Sequence, residues 1–93
     1  MREDRRRLDK WLWFARFART RSASARFVES GHVRVNGERV KQPAKGLAIG
    51  DVITMAFERT TMVVRVLDLG ERRGAATEAR MLYEELADAG SND

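Results

Sequence analysis

The stretch Gly31-His32-Val33-Arg34-Val35-Asn36-Gly37-Glu38-Arg39-Val40 decides the fold. From His32 to Val35 polar and apolar side chains alternate with the period of two that a half-buried strand needs. Asn36-Gly37 suits both left-handed positions of a type I′ turn, and Glu38-Arg39-Val40 returns as the second strand of a hairpin. Gly31 marks the junction with what precedes it. A left-handed glycine there closes a helix over Ala23 to Ser30, with Thr20 or Ser22 as N-cap and Ala25 and Val28 turned inward.

Further upstream, Leu8, Trp11, Leu12 and Ala15 fall at i, i+3, i+4 and i+7, one face of a helix that the sequence predicts from about Arg5 to Phe17. Trp13, Phe14 and Phe17 lie on roughly the opposite side, with Arg5, Asp9 and Arg16 as a narrow polar stripe, so the helix is expected to pack on two sides. Most of these aromatics read as core, Trp13 remains open between core and base stacking, and Asp9 is expected to fix a neighbouring Arg. Downstream, Lys41 to Gly46 reads as a loop, because Pro43 cannot donate to a ladder. Val52 to Phe57 and Met62 to Leu69 are β-rich, and Gly70 to Gly74 breaks the pattern. Ala75, Ala79, Leu82 and Leu86 resume a helical period, which predicts a C-terminal helix over Ala75 to Ala87, before a polar tail from Asp88 to Asp93. The expected architecture is a single α+β domain with a basic helical hairpin packed on a small, mostly antiparallel sheet and a C-terminal helix.

The chain has 93 residues, 43% hydrophobic and 34% charged, with no Cys and one His. One small core fits that length, and neither a disulfide framework nor a thiolate metal site is possible. A reducing, cytoplasmic setting is expected. No apolar run approaches the ~18 residues of a membrane span. Residues 1–46 hold 13 Lys and Arg against 5 Asp and Glu, whereas residues 47–93 hold 5 against 9. Such asymmetry points to an anionic partner for the first half, nucleic acid above all.

Catalysis finds no home in the residues. His32 has no Cys partner, no glycine spacing matches a phosphate loop, and Glu84 and Glu85 are adjacent and cannot face each other across a substrate. No metal or cofactor is expected. Binding has more support. Arg19, Thr20, Arg21 and Ser22 lie in the turn between the helices, where free backbone N–H groups at the second helix's start add partial positive charge to two guanidinium forks. Arg26 shares that surface, Arg34 and Lys41 extend it onto the hairpin if the strands pack beside the helix, and Asn36 offers an amide to a sugar or base edge. Ser22, Asn36 and Gly37 read as structural first, with RNA contact as a second role. For the arginines as a group the order is reversed.

Three blocks at this spacing, Arg7-Leu8-Asp9-Lys10, Thr20-Arg21-Ser22 and Gly31-His32-Val33-Arg34-Val35-Asn36-Gly37, resemble the RNA-binding domain named after ribosomal small-subunit protein four. The resemblance covers roughly residues 7–57. It implies two helices against a small sheet, the alpha-L motif, with RNA contacts at Arg7, Lys10, Arg16, Arg19, Thr20, Arg21, Ser22, Arg26, Arg34, Asn36 and Lys41. Downstream, Arg72-Arg73-Gly74-Ala75-Ala76-Thr77-Glu78-Ala79 and Met81-Leu82-Tyr83-Glu84-Glu85 are similar to the ribosome-associated heat-shock protein fifteen family. That likeness implies a non-catalytic protein on the large ribosomal subunit, meeting its ribosomal RNA, with tRNA as a further candidate, in ribosome rescue or recycling under heat stress. It also implies a long basic extension where this sequence stops at Ala89-Gly90-Ser91-Asn92-Asp93, so the sequence reads as truncated or as a short form. The expected division is an RNA-binding core over 7–57, an extra strand and helix over 61–87 and a tail over 88–93, acting as a monomer.

Two rivals follow from the residues themselves. Arg2 to Arg21 could lie on an anionic membrane, but its apolar residues surround the helix instead of forming one wide face. An acidic C-terminal helix with Glu78, Glu84, Glu85 and Asp88 could instead dock a basic ribosomal protein.

Overall fold

Val33–Val35 (β2) and Glu38–Val40 (β3) form the hairpin that their sequence predicts, with Val33 opposite Val40 and Val35 opposite Glu38. Asn36 at φ 53° and Gly37 at φ 87° make the turn. The computed structural model describes residues 4–86, so Arg2, the end of the predicted helix at Ala87 and the tail from Asp88 onward lie outside the described residues. In chain order the elements before the hairpin are β1 (Arg6–Arg7), α1 (Leu8–Phe14) and α2 (Arg21–Glu29). After it come β4 (Gly46–Leu47), β5 (Val52–Ala56), β6 (Thr61–Val66), α3 (Ala76–Ala79), a 3₁₀ turn (Arg80–Leu82) and β7 (Tyr83–Glu85).

Five strands make one antiparallel sheet in the order β3-β2-β5-β6-β7, and β1 pairs separately with β4. Val33, Val35, Ile53, Met55, Val64 and Val66 are buried and share a core with Leu8, Trp11, Leu12 and Val28 of the helices. The helical pair therefore covers one face of the sheet, and Arg34, whose neighbours Val33 and Val35 point inward, stands on the other.

Three elements differ from the sequence reading. Helix α1 begins at Leu8, not Arg5, because Arg6 and Arg7 pair with Leu47 and Gly46. Its first amides are satisfied by a loop instead of a side-chain cap: Leu8 donates to the Lys45 carbonyl at 2.8 Å and Asp9 to Pro43 at 3.0 Å. Helix α2 buries Ser24 and Val28, four residues apart, and leaves Ala25 only half-buried. The Ser24 hydroxyl has no hydrogen-bond partner among the described residues. The C-terminal helix is one turn, after which Tyr83 to Glu85 runs as a strand along β6, with Val66 opposite Tyr83 and Arg65 opposite Glu84. Open N–H and C=O groups on β6 outweigh the helical period, since an unpaired edge beside a buried core is costly.

Both helices of the pair end in the same motif. Phe17 N–H reaches the Leu12 carbonyl and Arg16 N–H the Trp13 carbonyl, while His32 reaches Phe27 and Gly31 reaches Val28. This is the Schellman arrangement, whose left-handed residue is Gly31 (φ 84°) after α2 and Arg16 (φ 67°) after α1. Arginine adopts that backbone at a cost of order 1 kcal/mol, so something must hold it there.

Candidate nucleic-acid interface

Asp9 is the electrostatic centre of the helical pair. It sits in the first turn of α1, only 3% exposed, and its carboxylate accepts two hydrogen bonds from Arg7, each at 3.0 Å. Arg21, the first residue of α2, brings its guanidinium to 3.9 Å from the same carboxylate. One buried anion thus orients two half-exposed forks from opposite ends of the helical hairpin, as the sequence anticipated when it assigned Asp9 to fix a neighbouring Arg. Burial pushes the Asp9 carboxyl up, but the Arg7 hydrogen bond and the charges of Arg7 and Arg21 outweigh it and hold it below the usual carboxylate range.

The sign of the pH effect follows. A carboxyl depressed by folding stabilises above its unfolded value of ~3.9, and that contribution fades as pH falls through its lower folded value. Acid titration followed by circular dichroism is expected to show Asp9→Asn less stable than the native chain at neutral pH, the gap narrowing below about pH 4. A gap that stays constant to the acid limit would remove Asp9 as an ionised anchor.

Around this centre the candidate residues separate into groups. Thr20 caps α2, its Oγ1 accepting from Ala23 N–H at 3.0 Å. Arg19, Ser22 and Arg26 are exposed on the turn and first turns of α2, and neither arginine has an ion-pair partner among the described residues. The Lys10 ammonium lies 5.9 Å from the centre of the Phe14 ring, which Arg6 approaches from 5.6 Å. Arg16 turns inward toward the chain, donating from Nε to the Gly74 carbonyl at 2.8 Å, and this contact helps hold its left-handed backbone. Asn36 is equally occupied: its Oδ1 accepts from Val52 N–H at 2.9 Å and its Nδ2 donates to Asp51 at 3.2 Å, which ties the hairpin tip to β5. These bonds are the structural role that the sequence assigned to it first. On the hairpin, Arg34 stands directly opposite Arg39, and Lys41 follows. Like charges directly opposite each other in a sheet are unfavourable without an anion between them.

Sequence reasoning missed the segment Asp68 to Gly74. Its Asp68 carbonyl accepts from the Trp11 indole at 2.9 Å, and its Leu69 and Gly70 carbonyls accept from Arg6. Arg73 donates to the Trp13 carbonyl at 3.1 Å, reaches the Ala18 carbonyl at 3.5 Å and lies 5.7 Å from the centre of the Trp13 ring. That cation covers the aromatic left open between core and base stacking. The last carbonyls of α1 and the turn that displays Arg19 and Arg21 are therefore held from outside the helical pair. Only the need of helix-end carbonyls for donors pointed this way, and nothing in it selects Arg73. Arg73→Ala is expected to weaken RNA binding about three- to tenfold, equivalent to one lost hydrogen bond of ordinary net strength. Because Arg73 faces carbonyls and not phosphates, the salt dependence should stay unchanged; filter binding over a salt series checks this, and a flattened slope would make Arg73 a phosphate contact.

The S4 domain family matches residues 6–53, just over half of the chain. The heat shock protein 15 homolog of Aeromonas salmonicida is 46% identical over 79 residues, covering 85% of this chain and 59% of that protein. The small ribosomal subunit protein uS4 of Xanthobacter autotrophicus is 42% identical over 69 residues, 72% of this chain but 34% of that protein. Among solved structures, heat shock protein 15 of Vibrio cholerae, described as trimeric, superposes with a TM-score of 0.84 at 40% identity, over 90% of this chain and 84% of that one. The family match over residues 6–53, with the likeness to heat shock protein 15 over 90% of this chain, shows that the chain belongs to the S4 domain family, on its heat shock protein 15 branch.

Proposed function

We propose that this chain is a non-catalytic protein that binds structured RNA through the α1–α2 turn and the adjoining hairpin. Its ligand is ribosomal RNA of the large subunit, with tRNA as a second candidate contact, and its task is ribosome rescue or recycling under heat stress. The contacts proposed are Arg7, Lys10, Arg19, Thr20, Arg21, Ser22, Arg26, Arg34 and Lys41, with Arg16 and Asn36 serving mainly to hold the surface in shape. One observation carries the reading: two ion-paired arginines held by a buried carboxylate are flanked by Arg19 and Arg26, which have no carboxylate partner among the described residues. Pre-ordered cations beside free ones suit a phosphate backbone, which fixes register without reading sequence.

Residues 7–57 are the proposed binding unit and the segment beyond is its support. Arg65 pairs with Glu84 and Arg72 with Glu78, each near 3 Å, so much of the acidity that would recruit a basic protein is already balanced. Among the described residues no cluster of His, Cys, Asp and Glu could hold a metal, and the proposal requires neither metal nor cofactor. No helix among them is long and apolar enough to cross a membrane, and the proposed site of action is the cytoplasm. A single copy carries the whole basic surface, so a monomer is the proposed binding unit. Co-sedimentation with separated ribosomal subunits over a salt series tests the reading, with large subunits carrying peptidyl-tRNA included. Salt-sensitive retention on large subunits supports it, whereas equal weak retention on every RNA leaves only a general RNA-binding module.

A further inference from the structure

A line of aromatic rings runs from the core to the surface and ends on His32. Trp11, fully buried, lies 6.1 Å from Phe17, and Phe17 lies 6.4 Å from Phe57. Phe57 and Phe27 are stacked at 5.2 Å with 15° between their planes, and Phe27 and His32 at 5.4 Å with 8°. His32 itself is exposed. Its backbone is fixed by the Schellman motif that closes α2, in which His32 N–H reaches the carbonyl of Phe27, the residue under its own ring. The imidazole is therefore a flat ring held at a set height on a rigid support, with little rotamer freedom left to lose on binding.

Two cations lie beside the residue that precedes it. A Cβ placed on Gly31 would lie 3.4 Å from Lys41 Cε and 3.6 Å from Arg39 Cδ, so both side chains lean over the backbone immediately before His32. Arg34, the cross-strand neighbour of Arg39, instead turns its guanidinium to the Gly37 carbonyl at the hairpin tip, 3.4 Å away. A flat aromatic end beside two cations matches the two parts of an unpaired nucleotide, a base that stacks and a phosphate that pairs. Helix closure alone would account for the Phe27 contact, but not for an exposed ring whose preceding residue is overhung by Arg39 and Lys41.

We infer that His32 is a stacking platform for one unpaired RNA base, with Arg39 and Lys41 holding the adjoining phosphate. This rests on the RNA-binding reading and adds to it a second subsite, past the C-terminal end of α2 and away from the Asp9 cluster at its start. It makes the chain selective for helical RNA carrying a bulged or flipped-out nucleotide.

The test uses the 93-residue chain and two hairpin RNAs, one with a bulged 2-aminopurine and one fully paired, read by anisotropy and by 2-aminopurine fluorescence. The bulged hairpin is expected to bind more tightly and to lose fluorescence as its base stacks. His32→Ala should weaken the bulged hairpin roughly tenfold, within the range for one base–aromatic stack, and leave the paired one unchanged. His32→Phe, which keeps a flat ring, should retain the preference. Equal weakening of both hairpins by His32→Ala, or full affinity without quenching, would overturn the platform. Binding of both hairpins without preference by the unaltered chain would overturn the platform alone, and binding of neither would overturn the RNA reading with it.

Discussion

Replacing Arg19, Arg21 and Arg26 together with Ala is expected to lower the affinity for structured RNA by roughly a hundredfold near 0.1 M salt. Each phosphate that a cation neutralises releases condensed counterions, which adds about 0.7–0.9 to the slope of log affinity against log salt and close to tenfold in affinity at that concentration. Three contacts at full strength would give about a thousandfold, and the Asp9 carboxylate beside Arg21 reduces that. The slope should fall by about two. The chain should still fold, because all three side chains are exposed, none fills the core and Arg7 keeps both its hydrogen bonds to Asp9. Isothermal binding to one hairpin at several salt concentrations decides the matter. An unchanged slope would remove the helix turn from the interface.

The second large effect is on stability. Trp11 is fully buried, packs near Phe17 and edge-on to Tyr83, and donates its indole N–H to the Asp68 carbonyl. Trp11→Ala removes that volume from the junction of α1, the Asp68 segment and β7, for a loss of about 3–5 kcal/mol. A domain of this size is stable by roughly 5–15 kcal/mol, so the urea midpoint should fall by about half with little change in slope. Trp11→Phe should cost less, about 1–2 kcal/mol, because much of the ring is kept and one hydrogen bond is lost. Losses below about 1 kcal/mol for Trp11→Ala would show that the C-terminal segment is not anchored through this side chain.

The hairpin and the helical pair were legible because their signals are local. Asn36-Gly37 needs two left-handed residues, Gly31 needs one, and Thr20 needs only the amide three residues on. The C-terminal segment was not legible. Ala75, Ala79, Leu82 and Leu86 have a helical period, yet the partner that decides their state is the distant β6 edge, whose Val63 carbonyl accepts from Leu86 N–H. Ala25 was assigned inward where Ser24 is buried, because hydrophobic pattern alone does not reveal that the helix contact takes a small polar residue. Among the candidate site residues, charge clustering singled out Arg19, Arg21 and Arg26. It could not separate them from Arg16, which looks the same in sequence and spends its guanidinium on Gly74. Arg73 was hidden for the converse reason, since its partners Trp13 and Ala18 lie some sixty residues away in the chain.

The central claim is that RNA lies on the helix turn and hairpin, and amide chemical shifts of the labelled chain titrated with a hairpin RNA test it most directly. The account predicts shifts concentrated at Arg7 to Lys10, Arg19 to Arg26 and Gly31 to Lys41, diminishing together as salt rises, with Ala76 to Glu85 nearly unmoved. Shifts centred on Glu78 to Glu85, with the arginine turn silent, would contradict it.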